Sequence, residues 1–128
     1  MAVTYAEDLV NARLDAITTR AGSAALLRIY SGTRPATGGA PTTLLAELTC
    51  GSPFAPSASG GELTANAISD DISANASGTA TWWRLVQSNG TTHVMDGNVG
   101  DSMTISNANI VEGGTVSVSS FVITGGNQ

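Results

Sequence analysis

Catalysis needs a nucleophile, a titratable base or metal ligands at matched spacing, and this chain holds few of these. Its one histidine, His93, stands three residues before Asp96. Strict alternation along a strand sends residues of odd separation to opposite faces, so the two side chains are not expected to form a base–orienter dyad. His93 reads as an ordinary strand histidine at the surface. No serine lies in a Gly-x-Ser-x-Gly elbow between strand and helix. Cys50 ends an apolar run far in sequence from His93, with no following helix N-terminus to lower its pKa, and reads as a small buried apolar residue. Asp96, Asn98 and Asp101 supply oxygens in a Gly-rich stretch, but the calcium-loop pattern is incomplete and lacks its bidentate Glu. Asp70-Asp71 reads as a solvated turn. The expectation is a protein that is not an enzyme, with no catalytic residue, no metal site and no cofactor.

Binding chemistry is better represented. In a strand the adjacent indoles of Trp82-Trp83 must point to opposite faces. With Trp83 and Leu85 on one side and Trp82, Arg84 and Val86 on the other, the reading is Trp83 inward and Trp82 outward. An outward Trp beside Arg has the composition of an interface anchor. It could also stack on a sugar ring or lie under an N-terminal helix. Trp82, Arg84, Arg34 and Tyr5 are the interface candidates.

The elements that must position these residues follow from hydrophobic period. Thr4 and Glu7 form a capping-box pair, Glu7 and Asp8 put negative charge in a first turn, and Arg20 puts positive charge in a last turn. Leu9, Val10, Leu14 and Ile17 share one side, and Gly22 supplies a stop. The spacing predicts a helix over Tyr5 to Arg20. From there the period becomes two. Strands are predicted from Ala24 to Ser31, Thr43 to Cys50, Glu62 to Ile68, Thr79 to Gln87, Thr92 to Met95, Ser102 to Ile105 and Thr115 to Ile123. Phe54, between two prolines, is placed at one end of the core. Ser88-Asn89-Gly90-Thr91 is the strongest hairpin signal, because Asn-Gly adopts the positive φ angles of a type I′ turn. Asp96 to Gly100 is expected to turn again. Seven or eight short strands with regular turns predict a mainly β fold, an antiparallel β-sandwich of jelly-roll type with one N-terminal α-helix. Residues 1–22 form an arm and helix packed on a β domain of residues 23–128.

Composition narrows the partners. The 128 residues fit one core, able to bury roughly 65–70% of the unfolded chain's surface. Charged residues make up 12% of the chain, against about a quarter in most domains. There is no Lys, and five Arg face ten carboxylates for a net charge of −5. That field repels a phosphate backbone, so nucleic acid is not an expected partner. A surface poor in charge suits contact with neighbouring subunits. The lone Cys50 excludes an intramolecular disulfide. No stretch approaches the roughly 18 apolar residues of a membrane span, and Met1 to Asp8 has neither the basic nor the apolar region of a signal peptide. The expectation is a protein made in a cytoplasm with no membrane partner.

Several short motifs together resemble the capsid decoration (cement) proteins of tailed bacteriophages. They are Asn11-Ala12-Arg13-Leu14-Asp15-Ala16-Ile17, Leu26-Leu27-Arg28-Ile29-Tyr30-Ser31-Gly32 with its Pro35 break, Gly78-Thr79-Ala80 before an aromatic–Arg strand, Ser88-Asn89-Gly90-Thr91, and Gly114-Thr115-Val116. The resemblance covers nearly the whole chain, each motif being short. It implies a β-sandwich that binds the outer surface of the virion shell as a homodimer or homotrimer and reinforces contacts between copies of the major capsid protein. It carries over no catalytic residue. A receptor-binding or tail-associated virion module, or a carbohydrate-binding module using an exposed Trp, would share the same β-rich composition.

Overall fold

The computed structural model describes residues 5–36 and 38–124. The described residues form one helix, α1 (Glu7–Ala21), and nine strands. The strands are β1 (Leu26–Ser31), β2 (Thr43–Thr49), β3 (Glu62–Thr64), β4 (Gly78–Thr79), β5 (Trp82–Val86), β6 (His93–Asn98), β7 (Met103–Ile105), β8 (Asn109–Ile110) and β9 (Val118–Thr124). Every ladder between them is antiparallel, in sheets ordered β2-β1-β5-β6, β3-β9-β7 and β4-β8. The fold is mainly β with one helix. Among the described residues no helix is long and apolar enough to cross a membrane.

The helix starts later than its capping signal implies. Thr4 lies outside the described residues, and the cap position belongs to Ala6, which offers no side-chain acceptor. Glu7 and Asp8 in the first turn and Arg20 in the last still match the helix dipole. Gly22, at φ +69°, closes the helix by donating its N–H to the Thr18 carbonyl. The buried stripe is Val10, Leu14 and Ala21, with Ile17 half-buried, whereas Leu9, expected to face inward, is exposed. Asn11 Oδ1 accepts the Gly61 N–H at 3.0 Å and Asp15 Oδ1 the Ala58 N–H at 2.7 Å. Those bonds seat α1 on the approach to β3, and its buried residues join the same apolar cluster as the strands.

That cluster gathers one face of the four-stranded sheet, Leu27 and Ile29 of β1, Leu48 of β2, Trp83 and Leu85 of β5, together with Leu63, Met103 and Phe121 from the three-stranded sheet. Phe121 holds it together, meeting Trp83 edge-on at 4.9 Å between centroids and Phe54 at 5.5 Å. Cys50 is buried in the same cluster.

Several element limits differ from those the period predicts. The run from Thr79 splits, because β4 pairs with β8 while β5 begins only at Trp82. The run from Glu62 is a strand only to Thr64, and the closing strand starts at Val118. The Asn89-Gly90 hairpin forms, but only Gly90 takes a positive φ, at +76°. Asn89 instead accepts the N–H groups of Thr91 and Thr92 through its Oδ1, an Asx turn that replaces the expected type I′ geometry. Asp96 to Asn98, expected to turn, belong to β6. Gly97 is there for packing: it pairs with Trp83, and a Cβ at position 97 would stand 2.4 Å from Trp83 Cζ2.

This close approach makes Gly97 and Trp83 one packing unit. Gly97→Ala should cost about 1–3 kcal/mol, the range for an overpacked core. In a Trp83→Leu background the same change should cost within about 0.5 kcal/mol of nothing, so a denaturant double-mutant cycle should show strong coupling.

Candidate functional site

Several of the chain's chemically capable side chains meet on the face of the four-stranded sheet that points away from the main core. Register places Tyr30 opposite Trp82, and their rings stack at 4.3 Å with 13° between planes. One step along, Glu47, Arg28, Arg84 and Asp96 stand in a row across β2, β1, β5 and β6. The two arginines are direct cross-strand neighbours, a repulsive arrangement that each offsets with a carboxylate on its far side. Arg28 Nε lies 2.7 Å from Glu47 Oε2, and Arg84 grips Asp96 with two bonds, at 2.7 and 3.1 Å.

His93 joins Asp96 against the parity expectation, with Nε2 3.0 Å from Asp96 Oδ1. A β-bulge is the reason. The β5–β6 register runs Leu85 to Met95 and then Val86 to His93, so Val94 is an extra residue and His93 falls on the same face as Asp96. A carboxylate can only accept, so Nε2 carries the hydrogen of that bond.

Residues 32–36 and 38–42 cover this face. Trp82 Nε1 donates to Thr42 Oγ1 at 2.9 Å, the Thr42 hydroxyl donates to the Ser31 carbonyl, and Arg84 Nη2 donates to the Gly39 carbonyl at 2.7 Å. Gly38, at φ +71°, lies against the His93 ring, where a Cβ would come within 3.3 Å of Nδ1. The Arg84 guanidinium sits 5.2 Å from the Trp82 ring centroid.

Two interface candidates are corrected by this cover. Trp82 does share a face with Arg84 and Val86, opposite Trp83, but it is 0% exposed and Arg84 only 8%. Neither is an outward anchor, because a loop of the same chain, rather than α1 or a partner, already occupies them. Arg34 is exposed on that loop, and Tyr5 is exposed before α1 with the Arg13 guanidinium 4.8 Å from its ring. The four candidates therefore do not form one surface. The residues that sequence reasoning missed are Tyr30, Thr42 and Gly39. The matched spacing of Arg28-x-Tyr30 and Trp82-x-Arg84 was the available signal for Tyr30.

The cluster is bonded closely within itself. Asp96 is pushed up by burial, but hydrogen bonds from Arg84 and His93, and then their charges, outweigh this and hold it below the usual carboxylate range. Its hydrogen bond to Asp96 raises Arg84 further, against burial. No serine, threonine or cysteine side chain bonds to His93 among the described residues. Burial pushes the Cys50 thiol up to about 12, far from a thiolate at neutral pH. Asp96 is not free to join Asn98 and Asp101 around a cation, and among the described residues no group of three or more His, Cys, Asp or Glu is placed to hold a metal. Asp71 is no idle turn residue either: its two oxygens accept the N–H groups of Glu47 and Ser73, tying its loop to the edge of β2. Comparisons with family models, with curated proteins and with solved structures return no match to this chain.

Two expected outcomes test the cluster. Trp82→Ala should destabilise by about 3–5 kcal/mol, as much as Trp83→Ala, in equilibrium denaturation. An outward anchor would instead leave stability nearly unchanged. Asp96→Asn should cost about 3–5 kcal/mol at neutral pH by stranding Arg84. Because the folded Asp96 pKa is depressed, its contribution is complete above the ordinary carboxylate value of about 3.9 and is lost as pH falls through the lower folded value. The gap between wild type and Asp96→Asn should therefore be constant from neutrality to about pH 5 and narrow below about pH 4.

Proposed function

We propose that this chain is a structural virion protein that binds the outer surface of a phage capsid and reinforces contacts between major capsid subunits. One observation carries the reading beyond the resemblance of its motifs. The clustered groups Arg84, Asp96 and His93 are spent on holding the fold, while large apolar side chains stand in water on ordered backbone. Ile72 is 78% exposed and Val111 67%. Their loops are zipped together by bonds between Asp71 and Val116, Ala74 and Gly114, and Gly113 and Ala74. Rigid, exposed apolar residues lose little entropy on binding and suit an interface. A second exposed pair, Tyr5 and Leu9, lies at the start of α1.

On this reading the four-stranded and three-stranded sheets are the two leaves of a jelly-roll-like β-sandwich, a view supported by the core they share. The zipped loops meet the capsid, and self-association as a homodimer or homotrimer uses the α1 end. The net charge of −5 disfavours nucleic acid as a partner. Catalysis has no part in this function, and neither does a cofactor. The carbohydrate alternative depended on an exposed Trp, and both indoles are buried. A receptor-binding or tail-associated role remains the rival class.

Co-sedimentation with empty shells assembled from a phage major capsid protein tests the proposal. The chain should pellet with shells and not with unassembled subunits. The double change Ile72→Asp and Val111→Asp should keep the melting temperature and weaken shell binding at least tenfold, about 1.4 kcal/mol. Binding to tail fibres or glycans instead of shells would overturn the proposal.

A further inference from the structure

A cleft of about 210 Å³ opens beside β6, an outer strand of its sheet, and Arg34, Trp83, Met95, Gly97, Asp101 and Ile123 are among its lining residues. Trp83 is 3% exposed, and its Nε1–H is one of two buried side-chain polar atoms without a hydrogen-bond partner among the described residues, the other being Thr18 Oγ1. Buried donors are nearly always paired, so such an orphan at the wall of a cleft points to an acceptor that belongs there. The indole edge runs beneath Gly97, where a Cβ would stand 2.9 Å from Nε1. Gly97 and Trp83 both line the cleft, so with no side chain at 97 only glycine backbone lies over this edge.

The other lining groups specify the ligand. Arg34 can only donate and Asp101 can only accept, and neither takes part in an ion pair among the described residues. Asp96, which also lines the cleft, is already committed to Arg84 and His93. Arg34 and Asp101 together leave the mouth without net charge, so neither a free anion nor a cation is matched. The complement is a neutral group with an acceptor oxygen for Trp83 Nε1 and Arg34 and an N–H for Asp101. The volume falls below the roughly 300–1,000 Å³ of small-molecule pockets and suits one side chain. We propose that this cleft binds a primary carboxamide, that of a Gln or Asn side chain on a polypeptide approaching the outer edge of β6. The inference stands independently of the capsid reading.

Proton–nitrogen correlation spectra of the full chain provide the test, because its two indole N–H groups report separately. The probe is N-acetylglutamine methylamide. The Trp83 indole resonance should shift saturably, while that of Trp82, bonded to Thr42 Oγ1, stays in place. Arg34→Ala and Asp101→Ala, both at exposed positions, should each weaken the probe about tenfold, the worth of one well-made polar contact, with wild-type melting. N-acetylalanine methylamide should cause no shift. A Trp83 resonance indifferent to the probe at every concentration, or one that responds equally to the alanine probe, would overturn the proposal. A stronger response to the glutamate counterpart would overturn the carboxamide assignment in favour of an anion.

Discussion

Two indoles adjacent in an inner strand cannot share a face, and much of this structure follows from that constraint. Each indole carries about 150–250 Å² of surface, worth roughly 4–6 kcal/mol on burial at about 25 cal/mol/Å². Leaving either in water would forgo a large part of a typical domain's net stability of about 5–15 kcal/mol. The fold therefore covers both sides of β5. Trp83 is covered by Phe121 and by a neighbouring strand that carries glycine at position 97. Trp82 is covered by Tyr30 from β1 and by the loop that carries Gly39 and Thr42.

The second cover explains where the chain's scarce charges go. A loop lying on a sheet must satisfy its own backbone groups, and Gly39 does so by accepting from Arg84. The guanidinium so buried needs a carboxylate, which Asp96 supplies across the ladder, and the fork-to-fork geometry holds only in that register. A slip of one residue would set Arg84 against Met95 or Gly97. Net stability gained from a buried ion pair is small, so its weight lies in fixing the alignment of β5 and β6 and the seat of the loop. The Val94 bulge brings in His93 and thereby closes the cluster beside Gly38.

The ionisable groups of this cluster, Arg28, Glu47, Arg84, His93 and Asp96, are turned to internal use, while a few large apolar side chains stand exposed elsewhere. Those side chains stand on backbone that is itself tied down, as the paired loops around Ile72 and Val111 show. Surface built in this way favours recognition by contact, the class of function proposed above.

The sequence by itself determined the helix, the antiparallel β character, the burial of Phe54 and Cys50, and the opposite facing of Trp82 and Trp83. Each of these depends on local period or on pleat geometry, which act within a few residues. It did not reveal that Trp82 is covered, since the covering residues lie about forty positions away and a loop's path leaves no periodic trace. Nor did it reveal the His93–Asp96 contact, because the bulge that reverses parity exists only in the pairing of two strands. Gly97 was read as a turn residue for the same reason: its lack of a side chain serves an indole on the neighbouring strand, and only the tertiary register brings the two together.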